Sequence, residues 1–423
     1  MTSASVPDAA RARAAAAIVD TIGVALAGSV EPAARIVRES VAATANGCAI
    51  WGTSRRASAP DAALANGTAA HALDYDDMCF VSLAHPSAPL VPAIVAAGEV
   101  AGASHDRLLD AYVAGFEIQA RLGRLMNPRH YQRGWHCTST LGALSAAAGA
   151  SRLLGLDVTA TAHALAIAAS SASGLKENFG TMVKPLHAGL AARDGMLAAL
   201  LAKDGLTASM KALDGPQGFL HAFDAESEDL TQQTSDLGAR WEILDTGITV
   251  KLYPSCAGTH PSLDAILDLR AREGFPAGVV ERVEIDVDPI VPTILIYDSP
   301  ASGLEAKFSM PFCAAAALAF GRVGIDTFDD ERLRDPRLIE LMPRVTMHVD
   351  EEIGRGKPSL TEARVRITLK GGRMVMLEAH GARGYPENPA TVNELEQKFL
   401  ACAMRVMSEP ESRRELDRLR GSL

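Results

Sequence analysis

The chain has 423 residues, 48% hydrophobic and 22% charged, a composition that excludes wholesale disorder, collagen and an extended coiled coil. Lys plus Arg number 41 against 51 Asp plus Glu, and the resulting charge of −10 without a basic run argues against nucleic acid and anionic membranes as partners. Aromatics at 5% leave few platforms for stacking bases. Cys48, Cys79, Cys137, Cys256, Cys313 and Cys402 are scattered without a CxxC pair. They read as buried thiols of a reducing cytoplasm, not as a zinc ribbon or a thioredoxin-type site.

At the start of the chain, Arg11 and Arg13 before an apolar run imitate a secretory leader. Asp20 interrupts the run, and Ile18, Ile22 and Leu26 recur at helical spacing, so an amphipathic first helix ended by Gly28 is expected. The uncharged stretch 78–98 is broken by Pro86, Pro89 and Pro92 and predicts no transmembrane span. Ala/Leu-rich patterns over 59–73, 90–100, 107–122, 138–154, 160–173 and 189–203 predict helices that pack closely through small side chains. After Pro254 the period changes. Val283, Ile285 and Val287 alternate with charged residues, as do Val345, Met347 and Val349 with polar ones, and 364–369 and 373–377 flank the turn Gly371-Gly372. With helices over 262–272 and 311–320, this predicts an α+β unit over 250–387. Helix resumes over 391–407. The fold class is therefore mainly α: an all-α domain built from 1–249 and 388–423, with an α+β insertion between.

Four loci carry candidate chemistry. In the first, His71, Asp74, Asp76 and Asp77 precede His85-Pro-Ser87. His71 and Asp74 are three apart and share a helix face if the helix reaches them, while Asp76 and Asp77 near its end oppose the helix dipole unless partners compensate. A solvated acidic loop and a carboxylate–histidine metal site fit the same residues, though no sharp metal signature is present. The second is Gly134-Trp-His136 before a small-residue helix with Thr138 as candidate cap, where the dipole disfavours imidazolium and leaves His136 a base near neutral pH. A half-buried loop histidine is the plain alternative.

In the third, Lys184 precedes Pro185 and is expected to be extended ahead of the next helix, its ammonium meeting either an anion or solvent. The fourth, Lys251-Leu-Tyr253-Pro-Ser255 with Thr259-His260, lies at the expected domain join, where it is a linker or a cleft wall. GxGxxG, Walker A and GxSxG motifs are absent, which removes support for nucleotide cofactors and α/β-hydrolase chemistry. What remains is acids, histidines and two lysines, an inventory suited to proton transfer at carbon beside a carboxylate.

At these loci the chain resembles the MmgE/PrpD family, whose members include 2-methylcitrate dehydratases, cis-aconitate decarboxylases and iminodisuccinate epimerases. The resemblance is carried by Asp20–Gly28, Asn66–His71, Asp74–Asp77, His85–Ser87, Gly134–His136, Lys184–Gly189, Lys251–Pro254, Thr259-His260 and Lys307–Ser309. It implies a helical domain with an α+β lid, a homodimer, and no metal or organic cofactor. It also implies an active site of Asp74, His85, His136, Lys184 and Lys251. From side-chain chemistry, His136 is expected to move the proton, the lysines to hold carboxylates, and Asp74 and His85 to orient the substrate or relay a proton. Tyr253, Thr259, His260 and Asp77 join Lys184 and Lys251 as candidate substrate-binding residues. A small di- or tricarboxylate is the expected substrate, in 2-methylcitrate-type dehydration first. The alternatives are epimerisation of an imino- or amino-dicarboxylate, decarboxylation of cis-aconitate, and a catalytically inactive carboxylate binder. Met78 stands where decarboxylase-type members have threonine, Phe312 where they have tyrosine, and the 74–85 segment is about one residue longer. Losing two hydroxyls counts against decarboxylation specifically.

Overall fold

Alanine and glycine, more than large side chains, set the spacing of the helices. The computed structural model describes residues 5–422 and divides into two units, one of residues 5–178, 182–249 and 391–422, the other of 179–181 and 250–390. Helix accounts for 57% of the structure, which is mainly α. No single helix among the described residues is long and apolar enough to cross a membrane.

In the first unit the long helices are α1 (Asp8–Gly28), α2 (Pro32–Ser40), α3 (Ala59–His71), α4 (Ser87–Ala101), α5 (His105–Met126), α6 (Cys137–Leu154), α7 (Val158–Ser171) and α8 (Val183–Lys203). The crossing of α3 with α8 is set by two glycines. A Cβ on Gly67 would lie 2.9 Å from Gly189 Cα, and one on Gly189 would lie 2.2 Å from Thr68 Oγ1, so only this pair lets the backbones approach. The crossing lays the last residue of α3, His71, against the first turn of α8, which carries Lys184.

Three local expectations are corrected. α8 begins at Val183, so Lys184 is helical, not extended; Pro185 falls in the first turn, where its missing N–H costs no intrahelical bond. Thr138 does not cap α6: His136 holds that position, and Thr138 Oγ1 instead accepts a 3.0 Å hydrogen bond from the His85 N–H. α1 is not a one-faced helix, since Ala17, Ile18 and all of 20–28 are buried beneath its neighbours.

Two further helices, α11 (Val392–Ala403) and α12 (Glu409–Ser422), complete this unit. Thr391 and Glu394 form a reciprocal capping box that starts α11. From α11, buried Lys398 reaches Asp20 of α1 at 2.8 Å and donates to the Tyr75 carbonyl at 2.9 Å.

The second unit holds a four-stranded sheet of β1 (Val280–Val287), β2 (Val345–Val349), β3 (Glu362–Leu369) and β4 (Met374–His380), in the order β2-β1-β3-β4. β1 and β2 run parallel; β1–β3 and β3–β4 are antiparallel. Ile285 is in register with Val365 and Val365 with Leu377, so the apolar alternation read from the sequence lines one face. α9 (His260–Glu273) and α10 (Met310–Phe320) pack on each other and on the sheet.

Candidate active site

The residues of the first locus lie at the end of α3 and in the loop of 72–86 that leads to α4. His71 Nδ1 is 2.8 Å and 3.0 Å from the two Asp76 oxygens, and its Nε2 is 2.9 Å from Lys184 Nζ. Lys184 Nζ also donates to Asp74 Oδ1 at 3.0 Å. His85 completes the group, with Nδ1 3.1 Å from Asp76 Oδ2 and Nε2 3.6 Å from Asp74 Oδ1. Asp74 presents its carboxylate from a left-handed backbone, φ +51°, a conformation that costs a non-glycine residue on the order of 1 kcal/mol and is held here by the surrounding contacts.

Asp76 does not hang off a helix end unpaired: the two imidazoles compensate it. Burial alone would raise its carboxyl pKa, yet the facing His71 and His85 hold it well below the ordinary carboxylate range. Burial pushes the His71 imidazole down to about 4, with Lys184 adding to the shift and Asp76 opposing it. His71 is therefore neutral near pH 7, with Nδ1–H donating to Asp76 and a bare Nε2 accepting from the lysine.

His71, Asp74, Asp76 and His85 offer donor atoms within 4.8 Å of one another, a spread that could also gather a divalent cation. The Lys184 ammonium already supplies positive charge to two of the four.

His136 joins this group from the start of α6. Its ring stacks on His71 with centroids 5.8 Å apart, and its backbone N–H donates to the Gly174 carbonyl at 3.0 Å. Burial, with Lys184 next, drives its pKa well below the ordinary histidine value. It is a neutral imidazole at a helix N-terminus, able to take or give one proton at a time.

Of the residues expected at the site, Asp74, His85, His136 and Lys184 thus come together within the first unit. Asp77 does not join them. Its Oδ1 accepts from the Ser87 N–H at 3.2 Å and its Oδ2 lies 2.5 Å from Ser87 Oγ, which reaches Tyr112 at 2.6 Å. Asp77 thereby serves the start of α4, and burial pushes its carboxyl up to about 8 against the lowering effect of Ser87.

Lys251, Tyr253, Thr259 and His260 belong to the second unit. Lys251 Nζ donates to the Ser255 carbonyl at 2.9 Å, and His260 Nε2 lies 3.2 Å from the same oxygen. Thr259 donates to the Cys256 carbonyl at 2.8 Å, and the Tyr253 hydroxyl donates to Asp264. Lys251, Thr259 and His260 tie the 251–260 loop together, and Tyr253 ties it to α9.

His71 and His187, neither of them among the residues expected at the active site, are part of the same cluster. His187 Nδ1 is 3.1 Å from His136 Nδ1. A signal for it was present: Lys184 and His187 are three apart on one helix and so share a face.

Comparison with known proteins bears on what such a cluster does. The chain matches the MmgE/PrpD N-terminal domain over residues 1–231 and the MmgE/PrpD C-terminal domain over 253–420. The chain belongs to the MmgE/PrpD family. Among its relatives is the cis-aconitate decarboxylase of Mus musculus, 30% identical over 408 aligned positions, with 92% of this chain and 82% of the relative covered. The Homo sapiens cis-aconitate decarboxylase is 28% identical over 406 residues, 92% and 83% of the two chains. That of Aspergillus terreus is 26% identical over 390 residues, 86% and 78%. This MmgE/PrpD chain is a lyase of that family.

Proposed function

We propose that the protein is a cofactor-independent lyase that moves a proton at a carbon beside a carboxylate of a small di- or tricarboxylate. The observation that supports this reading best is the buried Lys184 ammonium, held by His71 and Asp74 within a shell that includes His85 and His136. A carboxylate meeting Lys184 exchanges water for a charge-assisted hydrogen bond. Its negative charge raises the proton affinity of the neighbouring imidazoles, so His136 becomes able to hold the proton it transfers. Negative charge that builds on the substrate during the reaction falls beside the same ammonium.

Decarboxylation of a cis-aconitate-type substrate is the first reaction to test, since the relatives carry that name. The carbon–carboxylate bond breaks, carbon dioxide leaves, and the electron pair left on carbon takes a proton from His136. Turnover is followed by proton NMR of the product alkene in wild type and His136→Gln. The expected result is product formation that falls about 100- to 10,000-fold in kcat on losing the histidine. A substitution without effect on kcat would remove His136 from the role.

A second reading, 2-methylcitrate-type dehydration, is favoured by Met78 and Phe312, which put hydrophobic side chains where decarboxylase-type members carry hydroxyls. Here His136 takes the proton from carbon, that electron pair forms the carbon–carbon double bond, and hydroxide departs with a proton drawn from solvent as water. Running both substrates in the same assay separates the two. Lys251 keeps its proposed role as a carboxylate holder, tested by the KM of Lys251→Met. A homodimer is part of the same proposal, with sedimentation equilibrium as its test.

A further inference from the structure

The His136–His187 contact joins like nitrogens. A hydrogen bond between two imidazole nitrogens needs a proton on one and a lone pair on the other. With Nδ1 facing Nδ1 at 3.1 Å, the two neutral rings must hold opposite tautomers. If His187 carries its proton on Nδ1, His136 carries its own on Nε2; if His136 donates, its Nε2 is bare.

The pair is held on several sides. The ring centroids are 5.3 Å apart, and Ser139 Oγ from α6 donates to the His187 carbonyl at 3.3 Å. Gly174 passes over the pair with φ +115°, where a Cβ would come within 2.7 Å of Ser139 Cβ and 3.5 Å of His187 Cγ. The charged and titratable groups felt by His136 are Lys184, His71, His187 and His85, and Lys184 acts on His187. Burial and that lysine keep both rings neutral near pH 7, His187 pushed down to about 4.

We propose that His187 is a positioning residue: through the Nδ1–Nδ1 bond it fixes the tautomer of His136 and leaves Nε2 as the nitrogen that meets the reacting carbon. The pairing itself follows from geometry; its catalytic consequence rests on the lyase reading above. In dehydration His136 Nε2 takes a proton from carbon and its Nδ1 proton can pass to His187 Nδ1, so the positive charge leaves the ring nearest the substrate; in decarboxylation the path runs the other way, His187 returning the proton to His136 Nδ1 as Nε2 protonates the carbon. No atom is lost or gained between the two imidazoles.

The test starts without substrate. In protein labelled with 15N-histidine, ring nitrogen shifts report each tautomer, with His136→Gln and His187→Phe assigning the signals. Complementary tautomers for 136 and 187 are expected, and His187→Phe should release His136 to a mixture. Identical tautomers in wild type would overturn the proposal whether or not any acid is turned over. Under turnover, His187→Phe should lower kcat about 10- to 100-fold with KM changed less than about threefold. The acid limb of its kcat/KM profile should move to lower pH, because the neutral ring that accepts the Nδ1 hydrogen bond and shares the added proton is gone. His187→Asn, which places an amide near the Nδ1 position, should recover most of kcat. A folded His187→Phe enzyme with wild-type kcat and pH profile would also overturn the proposal.

Discussion

His71 Nε2 lies 2.9 Å from the Lys184 ammonium, although 113 positions of sequence separate the two residues. Because Asp76 holds the proton of His71 on Nδ1, the nitrogen facing the lysine is a lone pair. His71 therefore orients a cation and is not itself placed to take a proton from substrate.

Lys184→Met should raise KM for a polycarboxylate about 10- to 100-fold, the range for losing one hydrogen bond to a charged group. Lys184→Arg should not restore it. A planar fork cannot place one nitrogen 2.9 Å from His71 and 3.0 Å from Asp74 as a compact ammonium does. Steady-state kinetics decides: a wild-type KM in the arginine variant would reject the point-charge role.

Binding of an unreactive tricarboxylate such as propane-1,2,3-tricarboxylate should take up protons near pH 7. The His136 imidazole is held neutral by burial and by Lys184, and an arriving anion offsets the lysine's charge and favours the imidazolium form. Calorimetry in buffers of different ionisation enthalpy measures the uptake directly. Binding with no buffer dependence would contradict the step in which substrate loads the proton.

Asp77→Asn should stabilise the fold increasingly as pH rises. The folded carboxyl titrates near 8 and the unfolded one near 3.8, so between these values the folded state retains a proton that the unfolded state has lost. Stability of the wild type is penalised progressively across that window, and asparagine carries no such penalty. Urea unfolding of both proteins at pH 5, 6.5 and 8 checks the trend; a stability difference independent of pH would refute the raised carboxyl.

Lys398→Met should cost roughly 3–5 kcal/mol, the usual penalty for stranding one partner of a buried ion pair, here Asp20. Adding Asp20→Leu should recover part of that loss, since an apolar pair leaves no stranded charge. Loss of the 2.9 Å bond to the Tyr75 carbonyl should also lower kcat, because that residue adjoins Asp74 and Asp76. Denaturant titration and kinetics on the single and double variants separate the two effects.

The helices were legible from alanine-rich runs, and the sheet from alternation around Gly371-Gly372, because both patterns are local. What is not local was hidden. Nothing near Gly67 or Gly189 says that these two glycines meet, yet their contact decides that His71 reaches Lys184. The start of α8 was placed late because a residue before proline is biased to extended backbone, a bias the first helical turn overrode at Lys184. Asp77, expected among the substrate-binding residues, instead pairs with Ser87, ten positions on, across a turn that spacing alone does not reveal.

The bond from Lys398 to Tyr75 has a bearing on synthesis. A ribosome exposes the segment around Asp74 more than three hundred residues before it exposes the lysine that ties Tyr75 in place. Until α11 emerges and docks, Asp20 lacks its counter-ion and the neighbouring turn of the proposed site lacks one of its anchors. Chains that stop before residue 398 should therefore lack lyase activity towards small polycarboxylates.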